Sequence, residues 1–267
     1  MNRIDKKFRE LKKEKRKAFV AYITAGDPGL EVTKKIVLAL EDAGVDLIEL
    51  GIPFSDPIAD GPTIQAASHR ALAGGVTLKK IFSMMADLRK TTEIPIAFMT
   101  YYNPVLKYGI EKFVRDSSLK GVDGVIIPDL PIEEAQPLMR CAKKKGISTV
   151  FLAAPTSTRK RVGKIVQSSN GFIYYVSLTG VTGARRDLPP EVAAKVRMIK
   201  SMTKKPVLVG FGISSPGQAR GIAKAADGVI VGSAIVKIVA DNGKNAKALL
   251  SKISSFSKRI ARAVHNA

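Results

Sequence analysis

Tryptophan is absent from this chain of 267 residues, histidine occurs twice and cysteine once. No apolar run approaches the ~18 residues of a membrane span. Each shortage removes a class of function. The single cysteine, Cys141, forms no internal disulfide, and its setting, Leu138-Met139-Arg140-Cys141-Ala142, has the character of a helix side. It reads as a packed thiol in a reducing compartment. The histidines, His69 in a helical stretch and His265 in the terminal tail, lie far from any strand end. Neither a histidine metal cluster nor a Cys/His nucleophile pair can be assembled from them. The basic N-terminus is not followed by an apolar signal-peptide core, so a soluble cytoplasmic protein with no membrane association is expected.

Acidic residues are also few: 23 Asp and Glu stand against 44 Lys and Arg, a net charge of +21. Placement matters more than size here. Residues 1–17 hold nine basic and three acidic side chains, and residues 244–267 hold six basic and none acidic. Both ends show helical apolar spacing, through Ile4, Phe8 and Leu11 in one and Leu249, Ile253, Phe256, Ile260 and Val264 in the other. They read as amphipathic helices with solvated basic backs, docked on one body. A nucleic-acid-binding protein is the rival reading from charge alone, but no aromatic stacking series interleaves the lysines. With 45% hydrophobic residues a sizeable core is available, and no linker divides residues 1–267. One domain is expected.

Eight apolar, β-branched segments recur, at 18–24, 46–51, 94–100, 123–128, 148–153, 172–177, 206–210 and 227–232. Helical patterns at 30–43, 77–90, 131–145 and 189–201 lie between them. That count predicts an α/β fold, a (β/α)8 TIM barrel with an extra N-terminal amphipathic helix. A doubly wound open sheet is the alternative. In a barrel, chemistry collects at the C-terminal strand ends. No lysine occupies a strand interior there, so a Schiff-base aldolase is hard to build. Carboxylate acid–base catalysis, without metal or cofactor, is what remains.

Two carboxylates supply it. Glu49 alternates with Leu47 along Asp46-Leu47-Ile48-Glu49-Leu50-Gly51 and so points into a dry layer, where desolvation raises a carboxyl pKa towards neutrality. That suits a general acid near pH 7. Asp60 follows Pro53 and Pro57 and precedes Gly61-Pro62, on a turn-rich loop that can reach back over the strand end. A structural ion pair or a loop cap is the plainer alternative. Late glycines form a second constellation: Gly180-Val181-Thr182-Gly183, Gly210-Phe211-Gly212-Ile213-Ser214 and Gly232-Ser233. Glycines at successive late strand ends suit a phosphate cradle, because bare backbone N–H groups can approach the anion. Residues 177–189, with Arg185 and Arg186, are long for a connection and suit a lid.

Taken together, the segments TAGDP (24–28), ELGIPFSDPIADGPTIQ (49–65), MTYYNP (99–104), PDLP (128–131), APTST (154–158), GVTGAR (180–185), GFGIS and VGSAIV (231–236) resemble the α subunit family of tryptophan synthase, from about Ala18 onward. The resemblance implies retro-aldol cleavage of indole-3-glycerol phosphate to indole and glyceraldehyde 3-phosphate. It implies Glu49 as acid–base catalyst and Asp60 as the carboxylate on the indole N–H. Tyr22, Thr100 and Ile127 would line the indole pocket, and Tyr175 would lie near the reacting carbons. Gly183, Phe211, Gly212, Gly232 and Ser233 would bind phosphate, with Thr182 on the lid. No metal or cofactor is implied in this chain; pyridoxal phosphate is expected only in a β subunit, the partner in an α2β2 heterotetramer that would dock around Ser55–Asp56 and Tyr102–Pro104. The strong basic charge departs from the family pattern. Another phosphate-binding barrel isomerase or transferase would share the late glycines but has no use for Glu49 and Asp60 together.

Overall fold

A computed structural model of the chain describes residues 2–177, 190–210 and 212–267. Nine parallel strands form one sheet: β1 (Ala18–Thr24), β2 (Leu47–Gly51), β3 (Ile96–Met99), β4 (Gly124–Ile126), β5 (Ser148–Val150), β6 (Leu152–Ala153), β7 (Ile173–Val176), β8 (Val207–Gly210) and β9 (Gly228–Val231). The helices are α1 (Arg3–Lys13), α2 (Leu30–Asp42), α3 (Pro62–Ala73), α4 (Leu78–Leu88), α5 (Tyr102–Tyr108), α6 (Ile110–Leu119), α7 (Gln136–Lys144), α8 (Arg159–Ser168), α9 (Pro190–Ser201), α10 (Pro216–Ala225), α11 (Ser233–Asn242) and α12 (Ala246–His265).

The sheet order runs β5-β4-β3-β2-β1-β9-β8-β7-β6. Its two edges are consecutive pieces of one segment, broken at Phe151. The first piece pairs with β4 and the second with β7, so the fifth predicted strand, 148–153, is shared between the edges and closes the barrel. Phe151 is tied down at the break: its N–H donates to Ser169 Oγ at 3.1 Å.

The strands are buried on both faces, as an enclosed parallel sheet requires. One apolar layer lies between strands and helices, where Phe19, Ile48, Phe98 and Tyr175 pack. The other fills the barrel with Val20, Leu47, Ala97, Ile126, Tyr174, Leu208 and Ile230. α1 belongs to this inner layer. Its Ile4 and Leu11 are buried and its Phe8 ring packs 5.7 Å from that of Phe172, closing the N-terminal mouth. Gly124 makes this approach possible, since a Cβ there would meet Ile4 Cδ1 at 2.9 Å. Asn2 caps the helix and donates to Asp123 O (2.9 Å) and Ser148 Oγ (2.8 Å), pinning it to the barrel. α12 buries Leu249, Ile253, Ile260 and Val264 on the outside.

Aspartates mark the strand starts. Asp46, Asp123 and Asp227 each precede a strand by one residue and accept an N–H from the neighbouring strand: Phe19 at 2.8 Å, Ile96 at 2.9 Å and Val207 at 3.0 Å. Each also meets a basic side chain, namely His265 at 2.9 Å, Arg89 at 2.9 Å and Lys200 at 2.7 Å. His265 is thus a packing residue that fastens α12 to the barrel floor.

Candidate active site

Glu49 is the sole charged residue within any described strand. Its place is set by pairing: it stands opposite Tyr22 of β1 and Ala97 of β3, with its side chain on the inner face. The carboxyl is 0% exposed, and neither oxygen has a hydrogen-bond partner among the described residues. Desolvation, reinforced by the negative charge of Asp60, lifts its pKa to about 8. At neutral pH the group is therefore a carboxylic acid holding a proton it shares with nothing.

Asp60 comes in from the loop after β2. Pro57 O accepts from the Asp60 N–H at 3.0 Å, and Gln65 Nε2 donates to Asp60 O at 2.9 Å. The half-buried Asp60 carboxyl is also pushed up by burial, but a hydrogen bond from Tyr101 pulls the other way. Burial, and after it the charge of both acids, raises the pKa of Tyr22 and of Tyr174 across the barrel, so the four groups share one electrostatic environment.

Beside them opens a cavity of about 350 Å3. Its apolar wall is Tyr22, Ile64, Met99 and Tyr174; its far side is Gly210, Gly212, Gly232 and Ser233. Two glycines seat the tyrosines. A Cβ on Gly51 would lie 2.2 Å from Tyr22 Oη, and one on Gly210 would lie 2.8 Å from the Tyr174 ring. Gly212 has φ +31 and open space where a Cβ would be, and Gly232 precedes Ser233 at the start of α11. Gly212, Gly232 and Ser233 line the cavity at the start of α11, where the first N–H groups of a helix have no intrahelical partner. Lys237, one turn along α11, is the one cation among the described lining residues.

Three of the expected pocket residues are corrected by one position each. Tyr175 is 1% exposed and packs in the outer layer beneath the helices; Tyr174 faces inward and lines the cavity. Ile127 likewise belongs to the outer cluster and borders a separate cleft with Phe151 and Arg161, whereas Ile126 points into the barrel. Thr100 is buried just past β3 with its hydroxyl donating to Tyr101 O at 3.4 Å, and Met99 is the residue on the cavity wall. The cause is common to all three. Side chains alternate along a strand, so a shift of one residue moves a position to the opposite face. Tyr22, Gly212, Gly232 and Ser233 line one cavity, and Glu49 and Asp60 act on Tyr22 at its edge. Thr182, Gly183 and Phe211 lie outside the described residues.

A closed parallel barrel, a dry acid beside a second carboxylate, and a glycine-lined cavity at the C-terminal strand ends define a (β/α)8-barrel enzyme of the acid–base class. Comparison with known proteins narrows the class. The family model described as tryptophan synthase alpha chain matches residues 8–265. The tryptophan synthase alpha chain of Caldanaerobacter subterraneus subsp. tengcongensis is 50% identical over 256 residues, covering 96% of this chain and 97% of that one. Its namesake from Geotalea daltonii is 53% identical over 237 residues, 89% of this chain and 90% of the other. Among solved structures, tryptophan synthase subunit alpha from Legionella pneumophila str. Paris superposes with a TM-score of 0.93 at 39% identity, covering 100% of both chains. A chain of Mycobacterium tuberculosis tryptophan synthase gives 0.90 at 36% identity, over 99% of this chain and 98% of that one. The chain belongs to the tryptophan synthase alpha chain family.

Proposed function

We propose that this chain is the α subunit of a tryptophan synthase, a lyase that splits indole-3-glycerol phosphate into indole and glyceraldehyde 3-phosphate. The observation that carries the assignment to particular residues is the unpartnered, fully buried Glu49 carboxyl, protonated at neutral pH and set beside Asp60. In this reading Glu49 delivers its proton to indole C3. Once C3 is tetrahedral the ring is cationic, and the C3–C bond breaks with its electron pair returning to the ring as the glycerol hydroxyl passes its proton to the now ionised Glu49 and becomes the aldehyde carbonyl. Ionised Asp60 accepts a hydrogen bond from the indole N–H, and that bond strengthens as positive charge builds, lowering the barrier more than it lowers the bound ground state. Gly212, Gly232 and Ser233 offer backbone N–H groups to the phosphate, and Lys237 supplies countercharge. Tyr22, Met99 and Tyr174 hold the ring. No cofactor enters the scheme in this chain, because the protonated indole is itself the electron sink; pyridoxal phosphate belongs to the β partner that consumes the indole.

The β subunit docks, on this reading, over the rim formed by the loop after β2 and the start of α5. A cleft of about 730 Å3 lies there, between Pro53–Asp56 and Asn103–Pro104. Ile58 (83% exposed) and Leu106 (51% exposed) present apolar surface beside it. No helix among the described residues is long and apolar enough to cross a membrane. A cytoplasmic setting fits the pathway assignment. The deciding experiment is an indole-release assay on indole-3-glycerol phosphate with and without an added β subunit. Release that is stimulated by the partner supports the reading, and a chain that yields no indole in either condition refutes it.

A further inference from the structure

The loop carrying Asp60 is exposed along much of its length, with Ser55, Asp56, Ile58 and Ala59 all open to solvent. Such a loop does not by itself hold a carboxylate to the tolerance catalysis requires. Two side chains outside the loop take hold of it: Gln65 of α3, which donates to the Asp60 backbone O at 2.9 Å, and Tyr101, which lies on the carboxyl side. Tyr101, two residues past the end of β3, is 5% exposed, and its hydroxyl accepts the Ala59 N–H at 2.9 Å. The neighbouring Asp60 carboxyl, pushed up by burial, is pulled back down by this same hydroxyl. Its ring packs against Phe54, at the other end of the loop, with centroids 5.3 Å apart. A phenol has one proton and two lone pairs, so accepting from Ala59 leaves the O–H free to donate to Asp60. The loop is gripped at three points by one residue.

Tyr101 is itself held firmly. On its N-terminal side the Thr100 N–H donates to Ile126 O at 3.0 Å. On its C-terminal side the Tyr102 N–H donates to both oxygens of Asp129, at 2.9 and 3.2 Å. The ring is thus an extension of the barrel wall rather than part of a second loose segment.

We propose that Tyr101 is the positioning residue for Asp60: it holds the loop so that the carboxylate is aimed at the indole N–H. The proposal rests on the functional reading above and deepens it. The ionisable groups facing Asp60 are Glu49 on β2, Tyr22 on β1, Tyr174 on β7 and Tyr101 itself, and none of them bears positive charge. Donation from Tyr101 is therefore the favourable influence opposing burial. Removing it leaves desolvation to act alone, and the carboxyl becomes harder to ionise.

The test is Tyr101→Phe, which keeps the ring against Phe54 and deletes only the hydroxyl. Carboxyl 13C NMR follows the Asp60 titration in the wild type and the variant. The midpoint rises by about one pH unit in the variant. With indole-3-glycerol phosphate, turnover at neutral pH falls about tenfold while KM changes less than twofold. Placed on Asp60→Asn, the same substitution costs less than a further twofold, because both changes remove one interaction. An unmoved Asp60 midpoint overturns the proposal, and so does a tenfold loss that persists in the Asp60→Asn background. A chain that releases no indole at all refutes the functional reading, yet leaves the NMR titration to decide the Tyr101 contact.

Discussion

The two ends of the barrel treat buried acids in opposite ways. At the N-terminal end Asp46 and Asp123 are 5% and 2% exposed, yet each accepts a backbone N–H and faces a basic side chain. At the C-terminal end Glu49 is more deeply buried and has no partner at all among the described residues. The first arrangement sets partners against the cost of burying a carboxylate; the second offers none. Burial alone therefore does not tell what an acid is for. The partner set does, and the contrast separates residues that hold the barrel shut from residues kept reactive.

The comparison is broken most severely at Glu49. Glu49→Gln keeps the shape and removes the proton, so turnover should fall by 10²–10⁴-fold with substrate binding retained. Single-turnover indole release alongside a binding titration checks this; near-normal turnover would remove Glu49 from the chemistry. The same substitution should alter stability against pH. The folded pKa is about 8, raised above the unfolded value, so Glu49 binds its proton more tightly in the folded state. Its stabilising contribution is complete below the unfolded pKa and is lost as pH rises through about 8. The loss is roughly 4–5 kcal/mol if the carboxyl stays dry. Urea melts from pH 5 to 9 should show wild-type stability declining towards the alkaline end, with a shallower decline in Glu49→Gln.

At the opposite end the expected damage is to folding rather than chemistry. Asp123 accepts from Ile96 N–H and pairs with Arg89, which is only 9% exposed, as well as Arg3. Burial still pushes the Asp123 carboxyl up, against the pull of these partners. Asp123→Ala strands Arg89 and should cost about 3 kcal/mol. Turnover measured well below the melting transition should stay within twofold of wild type. A large loss of kcat with intact stability would mean that the two ends are not separable.

Much of this division was legible before any coordinates. Glu49 stands out because it alternates with Leu47 in an apolar segment that runs into a proline-stiffened loop carrying Asp60, and the barrel is legible because eight apolar segments recur with helices between. What could not be read was which face each residue takes near a strand end. In a sheet buried on both sides there is no polar–apolar alternation to report it. Met99 and Thr100, Ile126 and Ile127, Tyr174 and Tyr175 are pairs of comparable residues, and only the register distinguishes them. The break at Phe151 is hidden for the same reason, since 148–153 is uniformly strand-like. Tyr101 escaped notice because its role depends on a loop more than forty positions earlier in the chain, a contact with no local signature.

A milder perturbation sharpens the contrast within the reactive end. In the proposed reaction Glu49 and Asp60 are one neutral and one ionised, whereas the glycine side of the cavity would meet a dianion. Lys237 is exposed and lines that side. Lys237→Gln should raise KM for indole-3-glycerol phosphate several-fold, about 1 kcal/mol for a screened surface charge, and leave kcat nearly unchanged. The difference from wild type should shrink as salt is raised. A change confined to kcat would move Lys237 away from the phosphate.

The smallest effect discriminates between adjacent tyrosines. Tyr174 lines the cavity and senses Glu49; Tyr175, one residue on, packs in the outer layer. Deleting the hydroxyl of Tyr174 removes a polar group beside the reacting ring but spares the apolar wall, so Tyr174→Phe should reduce kcat/KM by a few-fold, within the ~1 kcal/mol of one neutral hydrogen bond. Tyr175→Phe touches nothing in the cavity and should leave kcat/KM at the wild-type value. Steady-state kinetics on the two variants suffices, since they differ by a single position and are read in one assay. If Tyr175→Phe proved the slower enzyme, β7 would have to be rotated by one residue, and with it the pairing Tyr175↔Val209 on which the inner face of this half of the barrel depends.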